Sequence, residues 1–260
     1  MSNTSPIALG DYHTAGAQYG FPGHLSNMRI VSGAAVYTPG ATITVPTAPL
    51  TAVAGTSLLI NAAPGIVDET GKFALGARSN AQLSTAVKKF GSASLKLNGS
   101  TDYLQGIANA DLNFTGDFTV EAWVYLTAPG SYHCLLEGRS GAAFQNYTFG
   151  IWNNAGVVRL DSVNASTRLT GSSTLVPLNT WCHVAWTRSG GIMMCFVDGV
   201  KDAATLSYGT SMAPTGNAFY IGFIVDPTFF SGYIDDLRIT KGVARYTANF
   251  TPPTSRFPNH

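Results

Sequence analysis

From residue 94 onward the chain alternates apolar and polar positions in short runs, broken about every ten residues by Gly, Asn or Asp. The clearest run is residues 117–125 (DFTVEAWVY). Phe118, Val120, Ala122 and Val124 fall on one face of an extended chain, and Thr119, Glu121, Trp123 and Tyr125 on the other. Residues 94–99 (SLKLNG) alternate and end in an Asn-Gly turn. Residues 147–152 and 157–160 flank a hairpin loop that holds Asn153, Asn154 and Gly156, and residues 181–188 and 192–197 flank Gly190 and Gly191. Residues 57–61 read as the first strand of the series and 232–240 as the last, with a turn at Asp68. The one plausible helix is a turn or two at residues 84–90. The pattern predicts an all-β fold: a two-sheet antiparallel sandwich.

The closing run occurs twice. Gly23, Arg29, Gly33 and Tyr37 match Gly232, Arg238, Gly242 and Tyr246 at a single offset. That spacing is far longer than the ~20–50 residues of a solenoid unit. It reads as a modular array cut down to one module, with the closing strand of a lost upstream module still attached. Three segments follow: an arm at 1–22, a partial repeat with a Thr/Pro-rich connector at 23–50, and the module proper at 51–260. Residues 1–18 are polar and unpatterned, either a disordered tail or an arm that docks on a partner. Pro46 and Pro49 forbid a helix in the connector.

Four motifs, in this order and spacing, carry a resemblance: residues 118–125 (FTVEAWVY), 181–188 (WCHVAWTR), 196–200 (FVDGV) and 232–239 (GYIDDLRI). Together they resemble the laminin G-like, concanavalin A-like jelly rolls, over roughly residues 57–257. The stretch 241–254 (KGVARYTANFTPPT) resembles the version common in tail-fibre and other virion proteins of bacteriophages. The resemblance implies a jelly roll with its first and last strands adjacent. Residues 24–32 would then compete with 233–241 for one neighbouring strand. Leu25, Met28, Arg29 and Ile30 are accordingly the candidate assembly strand, lengthening a sheet edge within the chain or on a neighbouring subunit; the other reading is an evolutionary remnant.

Composition narrows the function. The chain is 45% hydrophobic but only 11% charged, against roughly 25% in an average soluble domain. The net charge of +1 includes no Lys/Arg cluster, which argues against a nucleic-acid partner. No apolar stretch reaches the ~18 residues of a membrane span, so no membrane insertion is expected. Residues 1–20 lack the basic start and apolar run of a secretory leader. A surface-type composition without an export signal suits a particle assembled inside a host cell, which gives a virion location. Cys134, Cys182 and Cys195 cannot all pair and read as buried thiols.

No catalytic residue is assigned. Glycosidases on such sandwiches use paired carboxylates. Glu121 is the serious candidate among Glu69, Glu121 and Glu137, but Trp123 and Tyr125 occupy the positions where a second acid would share its face. Both Glu121 and His183 read as structural. No cofactor and no metal are assigned; calcium, if bound, would use Asp68 with Asp235 or Asp236. Glycan binding needs an exposed aromatic platform edged by amides. Trp152 with Asn153 and Asn154, together with Tyr147, is the candidate, the other reading of Trp152 being a core residue. The function expected is a non-enzymatic bacteriophage virion protein, either a small tail-fibre or receptor-binding subunit or a capsid decoration. Its partners would be other virion proteins, a host surface glycan, and further copies of itself, with a trimer as the guess. A secreted bacterial lectin or adhesin is the alternative, and a glucanase-like glycoside hydrolase a distant one.

Overall fold

A computed structural model of the chain describes residues 11–14, 17–20, 28–37, 40, 42–43, 54, 56–60, 65–129, 132–138, 147–152, 157–162, 167–224 and 228–257. The chain divides into two compact units, Met1–Gly65 and Ile66–His260. The first contains two antiparallel strand pairs. Strand β1 (Asp11–Thr14) pairs with β2 (Ala17–Gly20), inside the segment expected to be an arm. Strand β3 (Met28–Val31) pairs with β4 (Thr56–Ile60). Thus the strand expected to open the sandwich pairs with the partial repeat instead.

The second unit is built from β5 (Leu75–Arg78), β6 (Gln82–Ser84), β7 (Ser94–Asn98), β8 (Tyr103–Ile107), β9 (Phe118–Leu126) and β10 (Tyr132–Glu137). It continues through β11 (Tyr147–Trp152), β12 (Val157–Ser162), β13 (Thr167–Leu175), β14 (Trp181–Ser189), β15 (Ile192–Val197) and β16 (Val200–Ser207). It closes with β17 (Ala218–Ile221), β18 (Phe223–Ile224), β19 (Thr228–Phe229) and β20 (Ser231–Lys241). Two seven-stranded antiparallel sheets result. One runs β13–β12–β11–β10–β17–β8–β5, the other β16–β15–β14–β9–β20–β7–β6. The expected two-sheet antiparallel sandwich is what forms.

The alternation in β9 explains the core. Phe118, Val120, Ala122 and Val124 are fully buried, and their neighbours on β14 include Trp186, Val184 and Cys182. From the other sheet Leu135, Phe149 and Phe219 close onto them. Each such side chain contributes about 1.5–3 kcal/mol on leaving water. Gly106, on β8, leaves the space the Phe219 ring fills, since a Cβ there would lie 2.3 Å from that ring. All three cysteines are buried and none is in a disulfide.

Two expectations change. Residues 84–90 form no helix. Asp235 takes the N–H groups of Lys89 and Phe90, two of the donors that a helix here would need. Among the described residues the helical structure is the 3-10 turn Ala110–Leu112. The second change concerns the polar face of β9, where Thr119 and Glu121 are fully buried. Residues 243–257 form a strap across it. Thr119 and Thr187, opposite one another in register, donate to the carbonyls of Val243 and Tyr246 at 2.9 and 2.8 Å, and the Phe250 N–H donates to Gly199 at 2.9 Å.

Candidate functional site

Each sheet has one face in the core and one turned outward. On the β9 sheet that outer face is closed over Glu121 by the strap, while Tyr125, Trp181 and Tyr233 at the other end of the face stay half-exposed, their rings 5.6 and 5.8 Å apart. Glu121 lies beneath the strap, and Arg238 and Tyr246 donate to its two oxygens. Arg238 donates to Oε1 through Nε and Nη2 at 2.9 and 2.8 Å. Tyr246 donates to Oε2 at 2.8 Å, with His183 Nε2 3.2 Å away. The rings of Tyr246 and Phe250 stack at 3.5 Å over this cluster, and the Arg238 guanidinium lies 3.8 Å above the Phe257 ring. Burial pushes the Glu121 carboxyl up, but His183, the Arg238 charge and Tyr246 outweigh it and hold the acid below its ordinary range. Burial and the Glu121 charge push the Tyr246 phenol well above its own. An acid this enclosed ties the strap to the sheet and has no free oxygen to offer a substrate.

The outer face of the β10 sheet differs. Leu104, Phe219 and Ile221 point into the core, so the residues between them, Tyr103, Gln105 and Tyr220, point out. Tyr220 stands beside Gln105 on one side and Glu137 on the other, and Glu137 in turn beside Thr148, whose hydroxyl donates to it at 2.8 Å. The β18–β19 hairpin folds onto this face, adding Phe223 and Phe229. Tyr103 stacks on Phe223 at 4.7 Å, Tyr220 meets Phe223 edge-on at 5.3 Å, and Phe223 lies 5.1 Å from Phe229. All four rings are half-exposed. Arg78 donates from Nε to the Gln105 side-chain oxygen at 3.0 Å, setting a guanidinium and an amide beside them. The result is an aromatic platform edged by Arg78 and Gln105, with Glu137 and Thr148 beside it fully buried.

The sequence profile of the concanavalin A-like lectin/glucanases superfamily, in its laminin G form, matches residues 98–245. The chain belongs to this superfamily. No curated protein sequence is detectably similar to it. Among solved structures, this lectin/glucanase-type sandwich is similar to domain 4 of AbnA, a GH43 extracellular arabinanase from Geobacillus stearothermophilus, solved in complex with arabinotriose. The TM-score is 0.51 at 19% identity, covering 66% of this chain and 83% of that one. It is also similar to the binding domain of Paraclostridial Mosquitocidal Protein 1, with a TM-score of 0.51 at 14% identity, covering 68% of this chain and 47% of that one. At these identities the likeness is one of fold.

Of the residues singled out from the sequence, Trp152 is 39% exposed at the end of β11 and, by alternation with Phe149 and Ile151, on the same outer face as the platform. Tyr147 is not at a surface. It is fully buried in the core, 5.0 Å from the Phe114 ring, with its hydroxyl donating to the Leu112 carbonyl. Asn153, Asn154 and Leu25 lie outside the described residues. Met28, Arg29 and Ile30 lie on β3. Asp68 accepts from the N–H groups of Thr70, Lys72 and Phe73. Asp235 accepts from Lys89, Phe90 and Asp236, and Asp236 from Phe257. These carboxylates meet donors, whereas a calcium site gathers oxygens. Among the described residues no group of three His, Cys, Asp or Glu is placed to hold a metal. The Tyr103–Tyr220–Phe223–Phe229 platform went unnoticed in the sequence, although the alternation of YLQGI and AFYI already put Tyr103 and Tyr220 outside.

Proposed function

We propose that this protein is a non-enzymatic sugar-binding module displayed on a bacteriophage virion, and that glycans lie on the outer face of the β10 sheet. The observation that carries the glycan reading is the platform itself: Tyr103, Tyr220, Phe223 and Phe229 packed together with Arg78 and Gln105 at their edge. Sugar rings pair an apolar face with a rim of hydroxyls, and such a surface offers both halves of the complement. Trp152 extends the same face towards β11. On the opposite sheet the strap covers Glu121, whose enclosure argues against hydrolysis there. The arabinanase domain to which the chain is similar in fold was solved with an arabinose oligosaccharide, which fits the same reading.

The virion location rests on the phage-like sequence of residues 241–254 and the low charge. As a small fibre subunit the module would hold host glycans; as a capsid decoration it would act by subunit contacts. A glycan array probed with the full chain separates these roles, because a flat response favours decoration. For any glycan that binds, a Tyr103→Ala/Tyr220→Ala variant should weaken binding at least tenfold, about 1.4 kcal/mol, while its thermal unfolding stays cooperative. Unchanged binding in that variant removes the platform as the site. Mass spectrometry of purified particles tests the location, and absence of the chain from them rejects it.

A further inference from the structure

Across the outer face of the β10 sheet the strands run β10–β17–β8–β5, and β5 is the edge. Register sets Glu137 opposite Tyr220, Tyr220 opposite Gln105, and Tyr103 opposite Arg78. With strands about 4.8 Å apart, Glu137 and Arg78 are separated by roughly 14 Å across the sheet, with the platform between them. The two flanks differ in kind. Glu137 is fully buried and accepts from Thr148, which is buried too. Arg78 is exposed, and among the described residues it meets no carboxylate. Arg238 and Arg256, by contrast, lie against Glu121 and Glu69. The one polar group on Arg78 is the Gln105 side-chain oxygen, which takes Nε at 3.0 Å. That bond holds the guanidinium beside the rings and leaves its two terminal nitrogens turned to no acceptor among the described residues.

We propose that the platform takes an acidic glycan, with a sugar carboxylate docked on Arg78 and the ring that carries it lying against Tyr103. This rests on the platform reading above and adds to it the class of sugar and its direction. The two terminal nitrogens of a guanidinium form a planar fork that matches both oxygens of a carboxylate, whereas a hydroxyl offers one oxygen. A neutral sugar therefore leaves half of the fork unused. The acidic unit sits at the β5 edge, and the chain runs from there over Tyr220 towards β10. The reverse placement would bring the sugar carboxylate towards the Glu137 carboxylate, like charge against like. An exposed ion pair adds little affinity by itself. The rings accordingly hold the chain, and Arg78 selects which chain is held.

The test uses the full chain and three probes: oligosaccharides of glucuronic, galacturonic and sialic acid. Each is compared by calorimetry with its own methyl ester, which keeps the sugar and removes the charge. For the acid that binds, affinity should exceed that of the ester about fivefold, the upper end for an exposed pair. The gap should narrow as salt rises. Arg78→Gln should bring the acid-to-ester ratio close to one. Arg78→Lys keeps the charge but loses the fork, and should lower the ratio part-way. Because Arg78 is exposed, thermal unfolding should stay where it is in both variants. A wild-type ratio near one, or a ratio that either variant leaves intact, overturns the proposal. So does a chain that binds none of the three acids, and the platform then stands or falls on neutral glycans. Failure of the platform itself looks different: acid and ester would both bind the Tyr103→Ala/Tyr220→Ala variant as tightly as the wild type.

Discussion

The imidazole Nδ1 of His133 accepts the Ser231 backbone N–H at 3.3 Å, with the ring edge-on to Phe230. Burial lowers its pKa to about 4, against a smaller upward pull from the Ala128 carbonyl. The folded chain therefore keeps this ring neutral where the unfolded chain, near the ordinary 6.5, already takes a proton. Stability carried by His133 is complete above about pH 6.5 and drains away as pH falls towards 4, a loss on the order of 3 kcal/mol. Urea midpoints measured from neutral to acid pH should fall across that window. The slope should shrink in a His133→Gln variant, and a flat wild-type profile would contradict the assignment.

Glu121 titrates lower. Its carboxyl is held below the ordinary range, so its contribution is whole above that range and lost only as pH drops through the lowered value. Glu121→Gln keeps the shape but strands Arg238, which is 18% exposed. Removing one partner of an enclosed pair costs about 3 kcal/mol. Chemical denaturation should show that loss, and limited proteolysis should cut residues 243–257 sooner. Any glycan binding should be unaffected, because Glu121 serves the opposite sheet.

How much of this could be read beforehand depends on what is local. Alternation in residues 118–125 sorted β9 correctly into Phe118, Val120, Ala122 and Val124 inside and Thr119, Glu121 and Trp123 outside. It could not show that the outside is also buried, because the cover comes from Tyr246, Phe250 and Phe257, far along the chain. Tyr147, a candidate for the aromatic platform, shares its face with Phe149 and Ile151, and that spacing already put it in the core. The platform joins Tyr103 to Tyr220 through the pairing of β8 with β17, and only the fold brings those strands together. The partner of β4 was equally hidden, since both closing-strand copies suit it.

Gly106 gives a packing test. A methyl group there would meet the Phe219 ring at 2.3 and 2.5 Å, in a fully formed core. The ring would have to leave its place beside Phe73, 5.1 Å away. Gly106→Ala should therefore destabilise by about 1–3 kcal/mol as overpacking, read as a lower denaturation midpoint with an unchanged slope. A neutral result would mean the ring is free to move.

Arg188 is fully buried, and its guanidinium donates to backbone carbonyls. Nη1 donates to Thr210 at 2.7 Å, Nε to Gly116 at 2.8 Å and Nη2 to Phe114 at 2.8 Å, while the guanidinium sits 5.2 Å from the Phe118 ring. Burial pulls its pKa down, so the fork of donors must offset lost hydration. One side chain thereby ties the loop before β9 to the chain after β16. Arg188→Lys keeps the charge but replaces a planar fork with a single ammonium that cannot reach three divergent carbonyls. The expected cost is about 3 kcal/mol, since hydrogen bonds to a charged donor are each worth about 1.5–3 kcal/mol and lysine recovers some of them. Amide exchange should quicken first at Phe114 and Met212, whose N–H groups bond across this junction. A uniform loss of protection over the whole sandwich would show that Arg188 supports the entire core and not this corner.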